Sequence, residues 1–545
     1  MMIKSSFKIL LLAPVFLFCF NAGFAQIDST RRQTIEITSE YKPDLRNMVK
    51  VNLYATPISP DTSRPRLAYN IPAQNLFFSY QPVALYPLAL DTDSAVSLGD
   101  RNQIKVGFGN LTTPYIAGAL SFGDADKSLL NVYGNYISSR GKIENQDFSE
   151  IEAKAKGSLF LSDYELYGTL GVAQQEYYQY GYDHSIHTYS KEQLRRSYQD
   201  IHAGIGFRNI YLNSLGINYN PYVEAHTFGR EGEARETTLI LNMPVEKRFG
   251  DNVGVKISFL GNFNSYQIKN TNLKVSNKLF QLAPEFIYQG EKFNFHGGVT
   301  PSWNNDELSL LPNLYAEFPL HDNVFIVHGG WIGRFIENSF RTLSRENPYI
   351  QDPIFLKNTK EIQYYGGIKA TLGKHFNFNA KVAYLNYEDM PLFVNDNFDG
   401  KSFIITNEPK LKNFQIHGDL NFISQDKFTL TAGLDLNTYT GLKDNAKAWG
   451  LYPLKLNSSV RWNAFDQLIV KGDLIAFSGA KAMNSDNSQK NMNGGTDLSF
   501  GGEFKINKQF SAWADFNNVF NSSYERWNNY PVYGFQVIGG VIFRF

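Results

Sequence analysis

The sequence has 545 residues with 52 basic and 52 acidic side chains, a balance that offers neither nucleic acid nor an anionic membrane surface a partner. Its one cysteine, Cys19, sits in an N-terminal apolar run, so the rest of the chain excludes disulfides, thiol catalysis and cysteine-ligated metal. Aromatic residues are abundant, 43 Phe, 32 Tyr and 6 Trp, yet past residue 25 no stretch reaches the roughly 18 uninterrupted apolar residues of a membrane helix.

Lys4 and Lys8 precede the apolar run Ile9 to Phe20, and Gly23-Phe24-Ala25 supplies small residues before Gln26. Residues 1–25 therefore read as a secretory signal peptide, too short to span a bilayer. Phe20 after Cys19 argues against a lipoprotein anchor. Residues 26–100 hold Pro43, Pro57, Pro60, Pro65, Pro72, Pro82 and Pro87. Proline removes a backbone donor and fixes φ, so this stretch predicts an extended segment, periplasmic or entering a lumen, in place of a compact sheet.

From residue 101 to 545 the sequence breaks into strand-length segments with period-two alternation. Phe428, Leu430, Ala432, Leu434 and Leu436 alternate with Thr429, Thr431, Gly433, Asp435 and Asn437. Leu468, Val470, Leu474 and Ala476 lie opposite Lys471 and Asp473, and Ala380, Val382 and Tyr384 lie opposite Asn379 and Lys381. A charge facing lipid near the midplane costs about 2–4 kcal/mol, so the charged faces are assigned to a lumen. Ten tight turns are predicted at 123–127, 162–163, 211–214, 249–252, 289–292, 320–323, 373–375, 424–427, 464–467 and 507–509. Between them lie connections that are usually longer, the longest at 178–196, 336–360, 388–410, 479–493 and 522–534. Short and long connections in strict alternation are the topology of an outer-membrane barrel, with short periplasmic turns and long outer loops. Ten turns and eleven loops give an all-β, transmembrane antiparallel β-barrel of 22 strands, or 20 if one hairpin is lost.

The chain ends in FQVIGGVIFRF. Phe535, Val537, Gly539, Val541, Phe543 and Phe545 share one face of this last strand, while Gln536, Ile538, Gly540, Ile542 and Arg544 share the other. Asp515 to Phe545 resembles the end of TonB-dependent receptors, matching at Asn518, Val519, Phe520, Tyr524, Tyr530, Pro531 and Phe545. The resemblance implies a 22-stranded barrel, in line with the strand count. It also implies that Phe535, Val541, Phe543 and Phe545 form the signal read by the barrel-assembly machinery. That family carries a plug domain before the first strand, for which the 75 residues 26–100 leave little room. Ile35 to Val51, followed by LGDRNQIKVGFGNLTTPY, resembles plug-less, receptor-like outer-membrane barrels of Bacteroidetes. Thr34, Ile35, Glu36, Ile37 and Thr38 resemble a TonB box, an extended segment that adds a strand to a partner; a β-prone linker has the same composition.

Sites of chemistry are sparse. Asp183, His184 and His187 have the donor types of a divalent-metal site but lie in a polar, Tyr-rich loop, and the plain polar loop is the stronger reading. The remaining histidines read as lumen or interface residues, and no phosphate loop, catalytic triad or carboxylate pair stands out, so no enzymatic activity, cofactor or metal is expected. Tyr177, Tyr178, Tyr180, Tyr364, Tyr365, Trp449, Tyr452, Trp462, Trp527 and Tyr530 read as interfacial girdles, with stacking on a sugar or peptide as the alternative for Tyr349, Trp527 and Tyr530.

The expected location is the outer membrane of a Gram-negative cell, in contact with its lipid. Uptake or passage of an unknown solute is the leading functional expectation, with residues 26–100 restricting the lumen. A surface or secretion-complex scaffold closed by its outer loops, especially 336–360, is the first alternative, and a surface lipoprotein is among its expected partners. A TonB-energised importer with a reduced plug is the second.

Overall fold

A computed structural model describes residues 102–545, apart from 124–126, 212, 214, 270, 272, 321–323, 374 and 425–426. The expected leader, the segment 26–100 and the TonB-box-like Thr34–Thr38 lie outside the described residues.

Alternation sets the architecture. In the first strand, Gln103–Gly109, the side chains of Ile104, Val106 and Phe108 are exposed while Lys105 turns inward to Asp515 at 3.5 Å. Further round, in Arg195–Asn209, Ile201, Ile205 and Phe207 are exposed whereas Asp200 is buried. An exposed apolar face over a polar, ion-paired interior is the inverse of a soluble protein and matches a barrel whose outside meets lipid. The three segments singled out above turn as expected. Val382 and Tyr384 are exposed, while Asn379 accepts from His328 at 3.1 Å, Asp435 meets His417 at 2.8 Å, and Lys471 pairs with Asp515 at 3.2 Å.

Every strand of the main sheet pairs antiparallel with its neighbours, and Gln103–Gly109 pairs with the last strand, Gln536–Arg544, to close the barrel. The sheet contains 23 segments, but Ile217–Tyr219 and Tyr222–Arg230 both pair with Ala234–Phe249 and form one interrupted strand. The barrel is thus 22-stranded, as the alternating turns and loops predict. All ten predicted tight turns fall between consecutive strands, at the end of the barrel where the first strand starts and the last one finishes. The opposite end carries the longer connections, including all five predicted to be longest. Three connections there are nonetheless tight. One, at Asn305-Asp306, is a two-residue hairpin with both residues at positive φ, the geometry that Asn and Asp tolerate. Among the described residues no helix is long and apolar enough to cross a membrane.

The closing seam depends on glycine. Gly107 and Gly540 face each other across the first and last strands. A Cβ on Gly540 would lie 1.9 Å from the Val106 carbonyl oxygen, and one on Gly107 would lie 2.4 Å from the Trp513 ring. With no side chain at Gly107, the Trp513 indole packs against it, donates to the Val106 carbonyl at 3.1 Å and carries the Lys105 ammonium over its face at 3.8 Å. The two faces expected of the final strand are present: Phe535, Val541 and Phe545 are exposed, whereas Gln536, Ile538 and Ile542 are buried inside. Gln536 donates to Thr113 and Ser139 at 3.0 and 2.9 Å, and Arg544 pairs with Glu503 at 2.7 Å.

Candidate functional site across the barrel mouth

At the long-loop end the connections turn inward and pack on one another. The connection 337–358 carries the short helix Phe340–Glu346, started by a Ser339–Thr342 capping box. Glu236, on the inner wall, accepts from the Phe340 N–H at 2.6 Å. Phe340 is fully buried among Tyr198, Phe228 and Tyr266, which come from three separate strands of the barrel wall. Polar contacts tie the same loop down. Arg345 pairs with Asp200 at 2.5 Å, Arg230 with Asp352 at 2.7 Å, and the Tyr198 hydroxyl donates to the Pro348 carbonyl at 2.7 Å. Residues 340–352 therefore reach from the strand pair that holds the loop to strands four to seven places earlier in the barrel wall.

The connection 518–535 is the hub. Tyr530 stacks on Tyr349 with ring centroids 3.7 Å apart, meets Tyr180 edge-on at 5.0 Å and donates its hydroxyl to the Lys401 carbonyl. Trp527 packs edge-on against Phe393 at 5.0 Å, under the Arg526 guanidinium at 4.0 Å. Asn528 donates to Asn395 and Asn484, the Tyr452 hydroxyl donates to the Arg526 carbonyl, and the Tyr180 hydroxyl donates to the Pro531 carbonyl. Six other connections thus converge on this one: 141–146, through Gln146 donating to the Pro531 carbonyl, together with 179–194, 337–358, 389–410, 441–453 and 478–494.

The connection 389–410 adds its own hairpin, Met390–Asn395 paired with Phe403–Glu408, and Phe403 bridges Ile350. Glu408 is buried and accepts N–H bonds from Lys443 at 2.7 Å and Asn445 at 2.8 Å, gripping the neighbouring loop. Burial pushes its carboxyl upward, but the N–H donors of Lys443 and Asn445 outweigh that and hold it below the usual carboxylate range. Burial also pushes the phenols of Tyr349 and Tyr530 well above their usual range, so both stay neutral.

The aromatic readings are revised by this packing. Trp462 and Tyr364 are exposed on the outer surface, as girdle residues are. Tyr177, Tyr178, Tyr180, Tyr365, Trp449, Tyr452, Trp527 and Tyr530 are buried instead. Tyr349, Trp527 and Tyr530, at 9%, 3% and 2% exposure, stack within the loops, which leaves their faces no ligand to meet. Sequence reasoning missed this because tyrosine and tryptophan serve girdle, platform and core alike.

Asp183, His184 and His187 do not converge. Asp183 accepts from the backbone and hydroxyl of Ser185, while His184 and His187 stack on Tyr182 and Tyr189. Among the described residues, the one set of three or more His and carboxylate side chains with ligand atoms within 4.8 Å is Asp200, His202 and His226. The Asp-x-His spacing was a period-two signal for one face, but His226 joins only through the cross-strand pairing of His202 with it.

No family model matches the sequence, and no curated protein sequence matches it. Solved structures do. The FrpB iron transporter from Neisseria meningitidis superposes with a TM-score of 0.64 at 12% identity, covering 82% of each chain. The siderophore receptor PirA from Acinetobacter baumannii gives 0.62 at 12%, covering 82% of this chain and 80% of that one. The copper transporter OprC gives 0.61 at 13%, covering 82% and 81%. At such identities the likeness is one of fold: the described residues form a closed antiparallel barrel like those of these solved transporters and receptors.

Proposed function

We propose that this protein is a plug-less, receptor-like barrel of the Bacteroidetes type that admits a solute across the outer membrane, with its own outer loops as the gate. The observation that carries this reading is the interlocking of seven outer connections around Tyr530 over a wide, ion-paired lumen. A barrel of this strand number encloses a lumen wide enough to leak when empty, so a structure across its mouth has a clear role. The solved neighbours are named as carriers of iron and copper or as siderophore receptors, which makes metal complexes the first solutes to try. Residues 1–25 then act as the export signal, and Phe535, Val541, Phe543 and Phe545 as the signal read by the assembly machinery.

The test is solute flux into liposomes holding the full chain, compared with a variant whose loop 338–357 is replaced by a short Gly-Ser linker. Flux that rises on loop removal supports the gate; flux already maximal in the full chain refutes it. If Thr34–Thr38 couples to TonB, Ile35→Pro and Ile37→Pro abolish energised uptake in cells, because strand addition needs backbone donors. Unchanged uptake removes the coupling. The same closed mouth also suits a scaffold, and that second reading requires a stable co-purifying partner such as a surface lipoprotein.

A further inference from the structure

We propose that Asp200, His202 and His226 bind a divalent first-row transition cation on the inner wall, through one carboxylate oxygen and two imidazole nitrogens. The proposal does not depend on what the barrel transports. His202 and His226 are direct cross-strand partners, and Asp200 lies two residues from His202, so the pleat turns all three side chains to the same face. Their ligand atoms lie within 4.8 Å of one another. The Asp200 Oδ1 to His226 Nδ1 separation is 3.4 Å. Metal–ligand bonds of about 2.0–2.1 Å in tetrahedral geometry set ligand atoms about 3.3–3.4 Å apart, so that edge is already in place.

The surroundings are those of a ligand set. With Nδ1 of His226 facing Asp200, its Nε2 faces Glu224 at 3.1 Å. A ligating histidine that gives its other N–H to a carboxylate is the usual outer-shell arrangement, fixing ring orientation and raising basicity. The His202 ring stacks on His226 at 5.2 Å and makes no side-chain hydrogen bond among the described residues, so a purely structural imidazole between two carboxylates accounts for His226 but not for His202. Gly171 lies opposite His202 in the next strand, and a Cβ there would meet the His202 ring at 2.2 Å. Only glycine admits the imidazole in this position. Asp200 and His226 are buried, with the Arg345 guanidinium on the second oxygen of Asp200. Two nitrogens and one oxygen suit zinc, nickel, copper or iron(II), and the remaining position stays open.

Isothermal titration of the detergent-solubilised, untagged full chain with Zn2+ alone tests this. The expected result is one Zn2+ per chain, with binding lost in His202→Ala and His226→Ala. Glu224→Gln weakens it by roughly 10- to 100-fold, the outer-shell effect. Gly171→Ala keeps every ligand yet also weakens binding, because its Cβ displaces the His202 ring. Arg345→Gln tightens binding by removing a neighbouring positive charge, and the His184→Ala/His187→Ala pair leaves it unchanged. Far-UV circular dichroism confirms strand content in each variant, and Co2+ loading gives the visible spectrum of a nitrogen- and oxygen-ligated ion. Absence of stoichiometric Zn2+ in the wild type, equal binding in the folded His202 and His226 variants, or loss in the His184/His187 pair would overturn the proposal.

Discussion

Tyr530→Ala should loosen the loops across the mouth while leaving the barrel intact. The ring is 2% exposed, stacks on Tyr349 at 3.7 Å and touches Tyr180 and Phe403, so its removal empties a site shared by four connections. Truncating a buried aromatic side chain costs about 3–5 kcal/mol, and the Lys401 carbonyl loses its donor as well. At about 1.4 kcal/mol per factor of ten, opening of the loops becomes roughly two to four orders of magnitude more frequent. Native-state hydrogen exchange reads this directly. The Gln351, Phe403 and Val532 amides are bonded within and between loops at 2.9, 3.1 and 2.9 Å, and their protection should fall by that factor. Amides of the strand Gln103–Gly109 should keep theirs. Tyr530→Phe, which loses only one hydrogen bond, should change loop protection by less than about tenfold. Unchanged protection at 351, 403 and 532, or an equal loss in the strands, would refute a separable gate centred on Tyr530.

Three further outcomes follow from single contacts. Gly540→Ala puts a Cβ at 1.9 Å from the Val106 carbonyl oxygen, so the closing seam cannot form and folded yield collapses; Gly366→Ala, with nothing within 4 Å, should unfold at the wild-type temperature. Leu170→Arg places a charge on an outward position 56% exposed, and denaturation in lipid vesicles should show a loss of about 2–4 kcal/mol, with no loss contradicting a lipid-facing surface. Glu408 has a depressed carboxyl pKa in the folded state, so its grip is present at neutral pH and is lost as pH falls through that depressed value. Glu408→Gln should accordingly admit trypsin at Lys443 and Lys447 at neutral pH, while the wild type becomes open to pepsin in 441–453 only below the usual carboxylate range; equal resistance in both would remove Glu408 as the clasp.

The barrel was legible because its determinants are local. Lys471 against Val470, or Asp435 against Leu434, states which face is inside. Turns such as Ser162–Asp163 and Gly373–His375 divide the chain into hairpins whose parity closes the count. The loops were not legible, because their contacts span long stretches of chain. Tyr198 meets Pro348 across 150 positions and Gln146 meets Pro531 across 385, and no periodicity encodes such pairs. For the same reason Trp527 and Tyr530 read as girdle or platform residues when their partners, Phe393 and Tyr349, lie far away in sequence. The Asp200, His202 and His226 set sits between these extremes. Its first two members follow from alternation, whereas the third needs the register of a strand pair interrupted at residues 220–221.

Single-channel conductance in a planar bilayer tests the central claim most directly, using the full chain, the chain without residues 26–100, and the latter also without 338–357. The loops as gate predict no steady current from the first two and a steady open current from the third. A large steady current from the chain lacking only residues 26–100 would mean that the N-terminal segment, and not the loops around Tyr530, closes the barrel.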